Sequence, residues 1–269
     1  MPHMNPGPRI FLLLPLAALL ACGSSSSPGT DTSAAPNLSG NWEAVGDPIS
    51  LTTGTIMYFT GALQFNGGAV TGTLRAFPNS KINSPPCVAS TQDLQATGTL
   101  DANNDLTLTV PIAGGTATIT ATLGPDLQNA AAGTWQIVGG SCATASAPIT
   151  IAQYLPLTGT YVGYTSYPPA TESTTAVLTQ STTPNADGFF PLTGTIIVQG
   201  TCSGTVPMVP ELVSGSNITY PAGTSTPTPA AEFTGTFDLT ATTIQATLEL
   251  FAASCSIENI DLQGTLIRQ

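Results

Sequence analysis

The chain has 269 residues, of which 41% are hydrophobic and only 7% charged. Four Lys and Arg face fifteen Asp and Glu, a formal net charge of −11, so no surface can neutralise a phosphate backbone and nucleic acid is excluded as a partner. The single histidine, His3, lies at the extreme N-terminus. The rest of the chain therefore has no imidazole for Ser-His-Asp or Cys-His catalysis, nor the commonest zinc ligand.

Met1 to Arg9 is polar and carries Arg9; Ile10 to Ala21 is an uncharged apolar run interrupted by Pro15. A spanning helix needs about 20 apolar residues, so this run is too short to cross a bilayer and has the layout of a secretory signal. Leu19-Leu20-Ala21-Cys22 resembles the lipobox of bacterial lipoproteins, position by position. The resemblance implies a signal peptide over 1–21, cleavage before Cys22, a diacylglyceryl group on its thiol and an acylated amino terminus. Gly23 and Ser24 follow, with no Asp, which in that family implies outer-membrane sorting. The expected place is thus the bacterial cell envelope, on the periplasmic or cell-surface face of the outer membrane. Two or three acyl chains suffice for stable anchoring. Residues 22–36, rich in Ser, Gly and Pro, have nothing to bury and are expected to form a disordered tether reaching on the order of 20 Å.

Beyond the tether, abundant Thr and Gly with few charges favour strands and turns. A first β domain is expected over 37–155. Its strands run from Leu38 to Val45, Ile56 to Phe65, Ala69 to Phe77, Leu94 to Leu100, Leu106 to Ile112, Thr116 to Leu123, Gly133 to Val138 and Ile149 to Tyr154. Asn66-Gly67-Gly68 is a hairpin signal. Period two is clear in the third strand, where Val70, Gly72, Leu74 and Ala76 oppose Thr71, Thr73 and Arg75. The same alternation sets Leu106, Leu108 and Val110 against Thr107 and Thr109, and Ala117, Ile119, Ala121 and Leu123 against Thr118, Thr120 and Thr122. Pro78 to Ser90 is a loop carrying Cys87.

Landmarks then recur in order. Leu38-Ser39-Gly40-Asn41-Trp42 reappears as Leu157-Thr158-Gly159-Thr160-Tyr161, and Val70-Thr71-Gly72-Thr73-Leu74 as Leu192-Thr193-Gly194-Thr195-Ile196. Each is followed by two cysteines, Cys87 with Cys142 and Cys202 with Cys255, 55 and 53 residues apart. A second β domain is therefore expected over 156–269. Its strands run from Leu157 to Tyr164, Thr174 to Gln180 and Leu192 to Val198, with weaker ones at Glu211 to Val213 and Ile218 to Tyr220. Phe233 to Leu239 and Ile244 to Phe251 form a hairpin, and Ile260 to Leu266 alternates to the end. Pro221 to Pro229 is an open loop. With Cys22 assigned to lipid, the repeat predicts one bridge per domain, Cys87–Cys142 and Cys202–Cys255, each worth about 4 kcal/mol in loop-closure entropy. Pairing Cys142 with Cys202 would instead staple the domains together.

The fold class is all-β. About eight meandering strands with one apolar face favour two tandem antiparallel up-and-down barrels, and closure removes exposed edges. Immunoglobulin-like sandwiches are the alternative, with Trp135 between Cys87 and Cys142 as their marker. Gly40-Asn41-Trp42 resembles the Gly-x-Trp that opens the first strand of lipocalins and avidins, and Gly68-Ala69-Val70-Thr71-Gly72-Thr73 is similar to an avidin strand. The resemblance implies a calycin-like fold and transfers no ligand residue.

Few residues carry chemistry. Asp101-Ala102-Asn103-Asn104-Asp105 begins like a calcium loop but lacks its glycine and distal glutamate, so it reads as a turn. Trp42 reads as packing rather than a pocket wall. Glu43 with Asp47, or Glu249 with Glu258, read as solvated carboxylates, and no Gly-x-Ser-x-Gly elbow exists. The expected function is a membrane-anchored envelope lipoprotein, a non-catalytic binding or structural module and not an enzyme, with no metal or cofactor. Its partners would be the membrane through Cys22 and an envelope protein, a glycan or an apolar small molecule. The alternatives are an apolar small-ligand carrier with a lipocalin-like cavity and a glycan-active enzyme using carboxylates alone. A filled barrel interior would move function to loops such as Pro78 to Ser90 and Pro221 to Pro229.

Overall fold

A computed structural model describes residues 38–46, 57–78, 93–112, 114–124, 130–140, 143, 145–168, 170–200, 203–221, 230–251 and 261–269. The signal, the tether and all five cysteines lie outside the described residues. So do Asp47 and Glu258, and the loops 79–92 and 222–229.

Residues 36–269 form one compact unit. Its first half is a plain meander: β1 (Gly40–Gly46), β2 (Met57–Asn66), β3 (Ala69–Pro78), β4 (Asp93–Leu100), β5 (Asp105–Ile112), β6 (Gly115–Thr122), β7 (Ala131–Val138) and β8 (Ala147–Tyr154). Each strand pairs antiparallel with the next, and β8 returns to β1 with Ile151 opposite Ala44, closing an eight-stranded barrel. The Gly67-Gly68 turn takes positive φ at both residues, +58° and +90°, as a primed hairpin requires. Alternation decides what goes inside. Val70, Leu74 and Ala76 of β3 are buried, as are Leu106, Leu108 and Val110 of β5. The interior is filled by side chains such as Trp42, Phe59, Leu63, Ile119, Trp135 and Ile151, each 2% exposed or less. Trp135 thus lies in a barrel core on β7, not between two sheets, and the sandwich alternative is set aside.

The second half comprises β9 (Thr158–Tyr167), β10 (Ala170–Gln180), β11 (Phe190–Gln199), β12 (Gly204–Pro207), β13 (Glu211–Ser214), β14 (Asn217–Thr219), β15 (Ala230–Phe237), β16 (Thr243–Phe251) and β17 (Asp261–Arg268). These nine strands form one antiparallel sheet, and an additional β10–β11 pairing carries the hydrogen bonding back around to β9. The result is a second barrel-like ring around Tyr161, Leu178, Leu192, Phe233, Leu248 and Leu266. Trp42 and Tyr161 occupy the same station on the first strand of each half. The indole Nε1 of Trp42 donates to Leu38 O at 2.8 Å, and the Tyr161 hydroxyl donates to Ala241 O at 2.8 Å. Gly72 and Gly194 correspond as well: a Cβ at either would collide with a carbonyl of the neighbouring strand and with a leucine, Leu63 or Leu178.

One sector of the second ring departs from the expected plan. β12 carries no sequence signal, since four residues ending in Pro207 give no readable alternation. β13 and β14 are only four and three residues long, and β14 reaches β15 only at Gly235 and Thr236. The upper part of β15 is left short of partners. Met208 forms a parallel bridge to Ala231, and Val209 N donates to Ala231 O at 2.8 Å. Next along, Phe233 N donates to the carboxylate Oε1 of Glu211 at 3.2 Å. Glu211 shares the inward parity of Val213, is fully buried, and its Oε2 has no hydrogen-bond partner. Burial pushes its pKa up to about 8, with the Glu232 charge adding and the Phe233 N–H opposing.

A carboxyl whose folded pKa lies above its unfolded value holds a proton in the native state that the unfolded chain has released. Its contribution therefore falls as pH rises from about 4.5 to about 8. Glu211→Gln keeps the shape and removes the charge. The expected outcome is a melting temperature raised by at least about 4 °C at pH 8.5, with little change at pH 4.5, measured by calorimetry.

Candidate functional site

In β1, Trp42 and Ala44 point inward, so Asn41 and Glu43 point out of the barrel. Both are nonetheless buried, at 2% and 8% exposure. The outward Thr60 and Ala62 of β2 and Ala152 of β8 are buried too. What covers them is the rim of the second ring, where β10, β13, β15 and β17 end and β9, β11, β14 and β16 begin. The wall of the first barrel thus stops one end of the second, and Ala62 belongs to the second ring's core.

The contacts are specific. Asn41 Nδ2 donates to Gly215 O at 2.8 Å, and Gly215 N donates back to Asn41 Oδ1 at 2.7 Å. Ser216 N donates to Glu43 Oε2 at 2.7 Å, and the Tyr154 hydroxyl donates to Glu43 Oε1 at 3.3 Å. Burial, followed by the Glu43 charge, pushes the Tyr154 pKa up to about 12, so the phenol stays a donor. The hydroxyls of Thr60 and Ser214 hydrogen-bond to each other. Gly215 has φ +57°, and a Cβ there would run into the Glu43 side chain. Tyr154 packs edge-on against Phe237 at 5.5 Å, and Leu155 N donates to Leu239 O at 3.0 Å.

A second contact comes from the loop between β10 and β11. Asn185 Oδ1 accepts from Asp187 N at 3.0 Å and Phe189 N at 2.9 Å, folding the loop on itself. Gly188, at φ +82°, lies flat on the Thr73 carbonyl, where a Cβ would collide. Arg75 pins the loop from β3. Its guanidinium pairs with Asp93 at 2.6 Å, lies 4.0 Å from Asp187, and sits over the Phe189 ring at 4.5 Å.

Between wall and loop two clefts open, of about 380 and 210 Å³. Ala62, Gln64 and Pro184 line both. The larger adds Ser39, Phe65, Asn66, Thr182 and Phe190, and the smaller adds Thr71, Thr73, Gln95 and Asn185. No lining residue of either is charged. A third cleft, about 350 Å³, lies on the outer face of β5, β6 and β7 along Thr107, Thr120 and Thr134. There the hydroxyls of Thr120 and Thr134 already bond to each other at 2.9 Å.

The other residues singled out in the sequence fall as follows. Asp101 Oδ1 accepts from Asn103 N at 2.8 Å and Asp105 N at 2.9 Å, and Asn104 takes φ +63°, so the segment is a self-bonded turn. The Asp105 and Asn103 amides hold the Asp101 carboxyl below its usual range. Glu43 is no solvated carboxylate but a buried part of the junction. Glu249 lies between Glu232 and Asp261 in one row across β15, β16 and β17. Among the described residues no group of three His, Cys, Asp or Glu side chains is arranged to hold a metal ion. The junction was invisible in the sequence, because Asn41, Glu43 and Thr60 sit where alternation assigns solvent.

Asn41→Ala leaves both polar groups of Gly215 without partners in a dry joint. The expected loss is about 2–4 kcal/mol by urea denaturation. Gly215→Ala is expected to destabilise as well, and the double variant to cost less than the sum, since both break the same contact.

No protein-family model, no curated protein and no solved structure matches this chain, so its function is read from its own residues.

Proposed function

We propose that the chain is a lipid-tethered protein of the bacterial envelope that works by binding, without catalysis, through the outside of its barrels. The observation that carries this reading is where the space lies. Among the described residues, large side chains fill the barrel interiors, whereas the clefts these residues line open on outer walls and at the junction. A lipocalin-like carrier would need the reverse arrangement. The tether then serves to hold a rigid double barrel off the membrane, with Cys22 acylated and the partner met by the exposed walls. The expected bridges, Cys87–Cys142 and Cys202–Cys255, gain support from chain direction. β3 and β7, which precede the first pair, run the same way around the first barrel, and β11 and β16, which precede the second, run the same way around the second. Each pair of cysteines therefore follows strands that end at one rim.

Metabolic labelling with an alkyne palmitate analogue tests the anchor. The expected result is label on the mature chain, lost in Cys22→Ala together with membrane association; label retained in that variant would refute the anchor. Peptide mapping without reductant is expected to recover the Cys87–Cys142 and Cys202–Cys255 peptides. Recovery of Cys142 joined to Cys202 would overturn the pairing.

A further inference from the structure

The two junction clefts point to a ligand class, and we infer that they form one binding groove for a neutral oligosaccharide. The inference rests on the binding reading above and adds the chemistry of the ligand. The clefts are contiguous, since Ala62, Gln64 and Pro184 border both, so a ligand longer than one ring can lie across them. Gln64, Asn66, Thr71 and Thr182 line the groove, and among the described residues their side chains have no hydrogen-bond partner. Each of these amides and hydroxyls both donates and accepts, as every sugar hydroxyl does. The ring of Phe65 packs into the first barrel beside Trp42 at 5.6 Å, so the apolar border of the groove is Pro184, part-exposed and common to both clefts, which offers a patch for the C–H face of a sugar.

Other ligand classes fit less well. Phosphorylated or acidic ligands need a cation, and the groove has none; Arg75 nearby is already held by Asp93. An extended peptide is captured by adding a strand to a free sheet edge, and the first barrel is closed. A purely apolar ligand would leave the amides unpaired. The groove is also preformed: its loop is folded around Asn185 and seated by Gly188 on the Thr73 carbonyl, so little ordering is needed on binding.

The test uses the full lipidated chain in a detergent without sugar, titrated with cellohexaose, chitohexaose, mannohexaose, maltohexaose and an anionic hexagalacturonate. At least one neutral hexasaccharide is expected to bind. Gln64→Leu and Thr71→Val are each expected to weaken it at least tenfold, with melting temperature unchanged, and Thr107→Val on the other face to leave it intact. Binding of none of the four neutral probes, preference for hexagalacturonate, or binding indifferent to both groove variants would each overturn the assignment. A photo-crosslinking residue at position 95, which lines the smaller cleft, and another at 107, in the native envelope separates this failure from that of the broader reading. A glycan adduct at 95 supports the inference. A protein adduct alone at 95 overturns it while keeping the binding role. No adduct at either position overturns both.

Discussion

The molecule depends on one contact in which polar side chains are buried on the wrong side of a strand. Asn41 faces away from its own barrel core and would ordinarily meet water. Instead its amide closes a two-bond ring with the backbone of Gly215, and Glu43 takes the next amide, Ser216. Leaving either Asn41 or Glu43 unsatisfied in this dry joint would cost on the order of several kcal/mol. Each therefore demands one specific partner. Hydrophobic contact around Ala62 alone would let the second ring slide over the wall; the paired amides fix its position. Gly215 is part of the constraint, because its left-handed backbone brings the turn close enough to be read.

The same joint explains why the second ring tolerates its irregular sector. A ring sealed at one end by another barrel's wall does not need long strands on every side. β13 and β14 are short, yet their connecting turn is the piece that Asn41 and Glu43 grip. Where β14 stops, the backbone of β15 still needs acceptors, and Glu211 supplies one from inside. A carboxyl is an awkward choice there, since one oxygen is left without a partner. The first barrel, a plain eight-strand meander closed by β1 on β8, needs no such plug.

Much of this fold could be read from alternation. Thr118 to Leu123 and Leu106 to Val110 announce their inward faces residue by residue, and the observed strands follow them within one or two positions. The Gly-Gly turn at 67 and 68 and the Phe233–Phe251 hairpin were equally plain. Three things were not. β12 is too short and too proline-bound to show a period. Glu211 looked like an ordinary strand-starting acid, and only the gap beside β15 makes it internal. Asn41, Glu43 and Thr60 obeyed the pattern of a solvent-facing row, and nothing local distinguishes a residue facing water from one facing a second barrel. The groove inherits that blindness, because Gln64 and Thr182 meet only when the joint is formed.

The charge-poor composition takes on a use in this setting. A chain with a net charge of −11 could have met partners through its field, but its clefts are lined by amides, hydroxyls and phenylalanines. Interactions of that kind are nearly insensitive to ionic strength, unlike exposed ion pairs, which weaken within a Debye length of about 8 Å in physiological salt. Neutral recognition of this kind keeps its strength as salt changes. The Glu232–Glu249–Asp261 row lies apart from the groove, across β15, β16 and β17, where burial and mutual repulsion raise the glutamates' pKa values. Their contribution is to solubility and to repulsion between copies of the chain. The neutral groove is made at the junction, by residues of both halves.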